Sequence, residues 1–263
     1  MYNNILLKTL RDGRRSMLLY SLGQFIIGIY VALLFPDVAT SFAGMIEELP
    51  EFIQGFIGSA EEFATPEGFF TADPYGIITP VLIIALAVNR GMGAVAGEEH
   101  AHTLDQLLGN PISRTTVYIH KSFALIVDCV LPVAAIAIAI ILGAVIMDYS
   151  VSLSGLFFMS LSLLLLGYAT GFMALSIGAA TGSKTLAIAI PAAIVGIGYL
   201  INILVPIIES LSDLKYISIL HYYIGDKPFI NGITPWHALV LIVIAVLSFA
   251  IGLQRFNNRD LRG

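Results

Sequence analysis

The chain contains 263 residues, of which 57% are hydrophobic and only 12% are charged. A soluble globular domain carries roughly 25% charged residues, and a chain with a mean hydropathy of +0.89 cannot cover its apolar residues with a water-facing shell. Composition therefore excludes an ordinary soluble domain and predicts an integral membrane protein. The net charge of −5 argues against nucleic acid as a partner, and the single cysteine, Cys129, excludes an internal disulfide.

Six apolar segments are long enough to cross a bilayer. A spanning helix needs about 20 apolar residues, because lipid offers the backbone no hydrogen-bond partners. In chain order the segments cover residues 16–35, 74–97, 122–147, 154–180, 186–208 and 236–254. The sequence thus predicts an all-α integral membrane protein with six transmembrane helices, forming a single domain over residues 1–263.

The distribution of charge predicts the orientation of the chain. Six spans place both termini on one side of the membrane, and eleven of the thirteen Lys and Arg residues fall on that side. This count includes Arg90, and the two exceptions are Lys215 and Lys227. Twelve of the eighteen acidic residues lie on the other side. We therefore expect both termini to be cytoplasmic and the chain to lie in the cell membrane.

Two amphipathic segments flank the first span. Residues 1–15 combine apolar and basic positions, which predicts a short connecting helix on an anionic inner leaflet that then turns into the span, or else a plain basic flank. In the outer segment, residues 36–73, apolar residues recur at spacings of three and four, with Glu47, Glu48 and Glu51 on the remaining face. Pro50 is expected to divide this segment into two short helices. They could form a passive interfacial cap, gate an exit or attract a cationic substrate.

The loop between the second and third spans, residues 98–118, is too polar to cross the membrane but strongly patterned. Leu104, Leu107 and Leu108 share one helical face, and the run Gly-Asn-Pro at 109–111 ends that helix. Ser113 can cap a second helix that leads into the third span. A short helix held between two spans is a rigid handle that a cytoplasmic partner could move.

The residues of this loop resemble a known family. Residues 97–114 read GEEHAHTLDQLLGNPISR, close to the G-E-E start and the G-T-L-E-L-L-L-x-x-P-[VI]-S-R run found in permease subunits of ABC transporters of the ABC-2 type. The tail at 255–261, RFNNRDL, is similar to the family ending F-x-R-R-D-[LI]. The resemblance covers essentially the whole chain, with His102 standing where the family usually has Gly and Gln106 replacing Glu or Leu.

The resemblance implies an ABC-2, type V exporter-like transmembrane domain that is a transport subunit rather than an enzyme. It implies a second permease copy or a homologous permease, and two cytoplasmic ABC ATPase subunits. ATP and Mg²⁺ would bind to the ATPases, with no cofactor in this chain. The residues that it assigns to ATPase coupling are Glu98, Glu99, Thr103, Leu104, Asp105, Leu107, Leu108, Pro111, Ser113 and Arg114.

One acidic residue, Asp128, lies deep in a predicted span. A charge near the middle of a bilayer costs about 2.5–3.5 kcal/mol, so Asp128 is expected to face protein or a water-filled path. No basic residue of another span has an evident matching depth, and a hydroxyl or an amide such as Asn202 could be its partner. Asp128 and Asn202 are therefore possible residues of a transport pathway, or a hydrogen-bonded packing pair.

Other patterns that suggest chemistry are weaker. Residues 178–185 resemble a phosphate-binding loop, but Ser183 stands where that motif needs Gly, so we predict a tight turn between the fourth and fifth spans. The cluster of Glu98, Glu99, His100 and His102 could suggest metal binding or an intramembrane protease, but the other histidines lie elsewhere in the chain. A motor-independent transporter or channel is a second alternative, although it would need more polar spans.

Overall fold

The structure is a computed structural model that describes residues 5–46, 60–109, 111–205 and 207–260. The regular elements of this part of the chain are helices. In chain order they are α1 (Ile5–Ile46), α2 (Ala60–Phe63), α3 (Pro66–Ala72), α4 (Ile78–His100), α5 (Thr103–Leu108), α6 (Arg114–Ile146), α7 (Leu153–Thr181), α8 (Lys184–Leu204), a 3₁₀ helix (Glu209–Ile217), α9 (Ile219–Ile224), α10 (Pro228–Asn231) and α11 (Pro235–Asn258).

Six of the described helices are long and apolar enough to cross a membrane: α1, α4, α6, α7, α8 and α11. The prediction of an all-α protein with six spanning helices is confirmed. The third spanning helix, α6, begins at Arg114, earlier than expected. Ser113 accepts a hydrogen bond from the backbone N–H of Thr116 at 3.1 Å and caps the helix there. The fifth spanning helix, α8, ends at Leu204, before the expected position 208.

The first span differs from the prediction at both ends. Residues 5–15 do not form a separate connecting helix, because α1 runs without interruption from Ile5 to Ile46. The segment from 5 to 35 contains no proline, and an isolated glycine such as Gly13 is tolerated inside a helix, so nothing forces the chain to turn at residue 16. The predicted division at Pro50 lies outside the described residues.

Small residues let the spanning helices approach closely. The central helix, α7, packs against α4, α6, α8 and α11, while α1 packs mainly along α6. A Cβ atom added to Gly171 of α7 would lie 3.1 Å from the Cβ of Ala87 on α4, and one added to Gly28 of α1 would lie 2.9 Å from the Cβ of Ala139 on α6. Larger residues at these glycines would push the helices apart.

The turn between α7 and α8 confirms the interpretation of the segment that resembles a phosphate-binding loop. The last helical residue of α7 is followed by Gly182 with φ +68°, a left-handed conformation that favours glycine. Ser183 then accepts a hydrogen bond from the backbone N–H of Leu186 at 3.3 Å, which caps α8. The segment reverses the chain between two spans.

The bundle has two distinct ends. The terminal end, as we call it, contains the start of α1, α5, the α7–α8 turn and the end of α11. The opposite end contains α2, α3, the α6–α7 turn and the described residues between α8 and α11. Only 22% of the most apolar 18-residue stretch of α8, and the same share of that of α11, is buried within the chain. Most of the apolar side chains of these two helices therefore face lipid or another protein.

Candidate functional site: the loop at the terminal end and its ion pairs

The short helix α5 forms where its sequence pattern predicts it. It begins after His102, which has φ 55°, and its last residue, Leu108, is followed by Gly109 as the C-cap. Leu104 and Leu107 are fully or almost fully buried inside the chain, whereas Asp105 is exposed. The shared leucine face is therefore confirmed as a feature of the helix, but it anchors α5 to its own protein. The exposed side of α5 is the polar side around Asp105 and Gln106.

The two glutamates that precede α5 form ion pairs within the chain. Glu98 Oε1 lies 2.5 Å from Nζ of Lys121 on α6, whose side chain is only 1% exposed. Glu99 is buried and forms an ion pair with Arg259 of the C-terminal tail. Both acids were candidates for coupling to an ATPase. Their positions show that they connect the loop to α6 and to the tail.

Arg114 connects the start of α6 to the end of α11. Its Nη1 donates to the backbone oxygens of Phe256 at 3.1 Å and of Arg259 at 2.6 Å. These carbonyls have no partner within the last turn of a helix, so a guanidinium satisfies them and complements the negative end of the helix dipole. Thr115 and Asn257 form a further side-chain hydrogen bond at 3.1 Å. The loop motif and the tail motif therefore form one connected site.

Gly182 brings the α7–α8 turn onto the same site. A Cβ atom at this position would lie 2.5 Å from Nη1 of Arg259 and 3.0 Å from Oε2 of Glu99. The positive φ of Gly182 and the contact with the ion pair both favour glycine. Four separate segments of the chain thus meet around one buried pair of opposite charges.

The buried Asp128 has a basic partner, contrary to the expectation from sequence. Nε of Arg90 on α4 donates to Oδ2 of Asp128 at 2.5 Å, and Nη2 of Arg90 donates to the backbone oxygen of Thr9 on α1 at 3.0 Å. The charge distribution predicts Arg90 on the side of the termini, and the structure does not place it among the residues outside the spans. It lies inside α4, three turns before His100, where it can reach a carboxylate at its own depth.

Asn202 does not pair with Asp128. It is half-buried near the end of α8, at the opposite end of the bundle from the loop, whereas Asp128 is bonded to Arg90. The sequence distance of 38 residues between Arg90 and Asp128 gives no periodic signal, so only the packing of α4 on α6 brings the pair together.

Charged groups at the opposite end are more exposed. Lys227 forms an ion pair with Glu62, and each side chain is 39% exposed. His237 Nδ1 lies 3.2 Å from Oδ2 of Asp226. Among the described residues, no three His, Cys, Asp or Glu side chains are arranged to hold a metal ion.

The architecture and the terminal-end site together define a multi-pass membrane protein with a structured loop between its second and third spans. The sequence matches the family described as ABC-2 family transporter protein over residues 3–261. The chain therefore belongs to the ABC-2 transporter family and is a permease, a membrane transport subunit. Subunits of this family generally work with an ABC ATPase. A comparison with curated proteins found no significant match.

Proposed function

We propose that this chain is the membrane-spanning subunit of an ATP-driven exporter in the cell membrane. It would pair with a second copy of itself or with a homologous permease, and two cytoplasmic ATPases would bind ATP and Mg²⁺. Both termini would be cytoplasmic. Arg90 lies within the span α4 and is left out of the comparison. Of the other Lys and Arg residues, ten belong to the terminal side and two to the opposite side, which supports this orientation.

The single observation that carries the proposal is the way α5 is held. Its buried leucines, the Glu98–Lys121 pair, the Glu99–Arg259 pair and the bonds of Arg114 attach the loop to α4, α6 and α11 at once. A force applied to α5 therefore reaches several spans together. An ATPase that closes on ATP could use this helix to favour one arrangement of the spans over another.

The coupling residues fall into two groups in this proposal. Leu104, Leu107, Glu98, Glu99 and Arg114 position the loop. The partner would instead contact the outer side of α5, beside an open groove of about 590 Å³. The groove is lined by Asp105, Leu108, Gly109, Ile112, Arg114 and Asp260. Thr103, Pro111 and Ser113 are exposed at the two ends of the loop and shape its turns.

The test is association with the ABC ATPase encoded by the gene nearest to that of this chain. Asp105→Lys is expected to weaken co-purification about tenfold, because a reversed charge at an interface disfavours docking. Asp213→Lys, the same change at an exposed position of the opposite end, is the control and should have no effect. Leu104 is unsuitable for this test, because truncating a buried leucine costs about 2–5 kcal/mol of stability.

Two outcomes would contradict different parts of the proposal. If Asp105→Lys and the wild-type chain bind the ATPase equally, α5 is not the docking element. If the wild-type chain binds none of the ABC ATPases of its own genome and transports without ATP, the subunit role is wrong and a motor-independent transporter is the better interpretation. The pathway roles of Asp128 and Asn202 stay predictions, which transport assays of Asp128→Asn and Asn202→Ala would check.

A further inference from the structure

The start of α1 carries a group of exposed cations at the terminal end of the bundle. Lys8, Arg11, Arg14 and Arg15 are all exposed, and together with the exposed Asp12 they give this stretch a net charge of +3. Among the described residues, none of these four cations forms an ion pair. A partner of negative charge would therefore meet positive charge that the chain itself does not neutralise.

The cations continue into an apolar surface on the same side of α1. Five exposed residues follow one another at spacings of four, three, four and four, which places them along one side of a helix: Arg11, Arg15, Leu18, Leu22 and Ile26. The three apolar residues are each more than half exposed, at 55%, 54% and 54%. We call this continuous surface of two cations and three apolar side chains the α1 ridge.

Contacts on the other side of α1 fix the direction of the α1 ridge. Gly13 lies against the guanidinium of Arg90, and the backbone oxygen of Thr9 accepts a hydrogen bond from Nη2 of Arg90 at 3.0 Å. Further along the helix, the buried amide of Gln24 donates to the backbone oxygen of Thr79 at 3.0 Å. Because these contacts hold one side of α1 against the bundle, the α1 ridge faces away from it.

The lengths of the two parts of the ridge match one leaflet of a bilayer. The apolar segment of α1 from residue 16 to 35 spans about 30 Å as a helix, which is the thickness of the hydrocarbon core. Arg15 directly precedes this segment and Arg11 lies one turn earlier, so both guanidinium groups are level with the headgroups. Ile26 lies about 15 Å inside the hydrocarbon, at the depth of one leaflet.

A phospholipid presents its groups in the same order, with a phosphate among the headgroups and acyl chains over the depth of one leaflet. We propose that the α1 ridge binds an anionic phospholipid, whose phosphate accepts hydrogen bonds from Arg11 and Arg15. Its acyl chains lie along Leu18, Leu22 and Ile26. A guanidinium can donate two parallel hydrogen bonds to a phosphate, and the net charge of +3 favours an anionic headgroup over a zwitterionic one.

This site differs from the amphipathic helix expected from the sequence. In that expectation, the basic residues lie on the leaflet as a separate helix. In the continuous helix α1, the lipid instead lies along the side of the span. The site is remote from the groove beside α5, and the inference does not depend on an ATPase partner.

Dioleoylphosphatidylglycerol is the probe, and dioleoylphosphatidylcholine is the reference, because the two lipids share their acyl chains and differ in headgroup charge. Native mass spectrometry of the purified full-length chain in detergent measures the affinity for each lipid. Arg11→Gln/Arg15→Gln is the main variant, and Arg11→Lys/Arg15→Lys keeps the charge. Lys184→Gln/Arg255→Gln is the matched control, since it removes the same charge from the first turn of α8 and the last turn of α11.

The wild-type chain should bind phosphatidylglycerol at least about tenfold more tightly than phosphatidylcholine, because each cation near a membrane surface contributes about fivefold. The control and the lysine variant should keep this preference. In Arg11→Gln/Arg15→Gln it should fall to about threefold or less. Phosphatidylglycerol should also raise the Tm of the wild-type chain but not that of this variant. Without added lipid the two should unfold at the same temperature, because both arginines are exposed.

Three results would overturn the proposal. The first is equal affinity of the wild-type chain for the two lipids, or an unchanged preference in Arg11→Gln/Arg15→Gln. The second is an equal loss of preference in the matched control, which would show a general attraction between opposite charges and no site on α1. The third is a main variant that keeps its lipid preference but no longer associates with the ABC ATPase, which would assign these cations to an acidic protein surface.

Discussion

Different interactions join the helices at the two ends of the bundle. At the terminal end, ion pairs such as Arg90–Asp128 and Glu99–Arg259 join segments that are far apart in the chain. At the opposite end, aromatic rings and tyrosine hydroxyls join such segments. Phe35, Phe70 and Phe229 form part of a ring cluster, and the hydroxyl of Tyr223 donates to the backbone oxygen of Tyr75 at 2.9 Å.

This difference has a functional meaning. Ion pairs depend on direction and on partner, so small movements can exchange them, whereas a packed aromatic cluster resists movement because its atoms fill space. If the proposed function is correct, the terminal end is the part that changes its arrangement when an ATPase acts on α5, and the opposite end holds the spans together. Four predictions test the contrast.

The largest effect is expected at the buried pair of the terminal end. Arg90→Ala leaves the carboxylate of Asp128 buried without its cation, which should lower the free energy of unfolding by about 3–5 kcal/mol. SDS titration of the purified chain in mild detergent measures this. The double variant Arg90→Met/Asp128→Leu should recover most of the loss, and a single variant as stable as the wild type would show that the pair is not structurally important.

A loss in the same range is expected at the opposite end, but by another mechanism. Phe70 is fully buried, with its ring centroid 5.8 Å from that of Phe35 and 6.2 Å from that of Phe229. Phe70→Ala should cost about 3–5 kcal/mol through lost contacts and a cavity. Salt should not change this cost. ATPase association should also be unaffected, and a selective loss of association would contradict the division between the two ends.

A smaller effect is expected for Glu99→Gln. The amide keeps the size of the side chain but removes the charge that faces Arg259, so we expect a loss of about 1.5–3 kcal/mol. The amount of substrate transported per ATP hydrolysed should also fall, because the tail is released from the loop. This fall should be seen under conditions in which the variant is still folded. Glu62→Gln is the control at the opposite end. Its pair with Lys227 is exposed and should be worth less than about 1 kcal/mol.

The smallest effect concerns pH at the opposite end. Burial lowers the pKa of His221 below its ordinary value of 6.5, His237 and Lys215 lower it further, and Asp226 opposes them. The folded chain therefore favours neutral His221, so its contribution to stability is complete above about pH 6.5 and is lost as the pH falls below that value. Thermal unfolding measured from pH 7.5 to 5.5 should show the decline, and His221→Phe should reduce it.

Local patterns were sufficient to predict several elements. The helix Thr103–Leu108, the cap at Ser113 and the turn at Gly182 depend on residues within one or two turns of each other, and the structure contains all three. The start of α1 was predicted less well. A basic amphipathic flank and the continuation of a spanning helix have the same local pattern, and the packing of α1 along α6 decides between them.

The amino-acid sequence by itself determined the class of this protein, because hydropathy and helix length respond to the bilayer as a solvent and need no tertiary contacts. It also contains a loop and a tail that resemble those of the ABC-2 family, to which the match over residues 3–261 assigns the chain. Only the tertiary structure decided that the leucines of α5 face inward, that Glu99 meets Arg259 and that Asp128 meets Arg90. These partners lie on different helices, and the choice among them depends on packing depth and rotation, which no local spacing encodes.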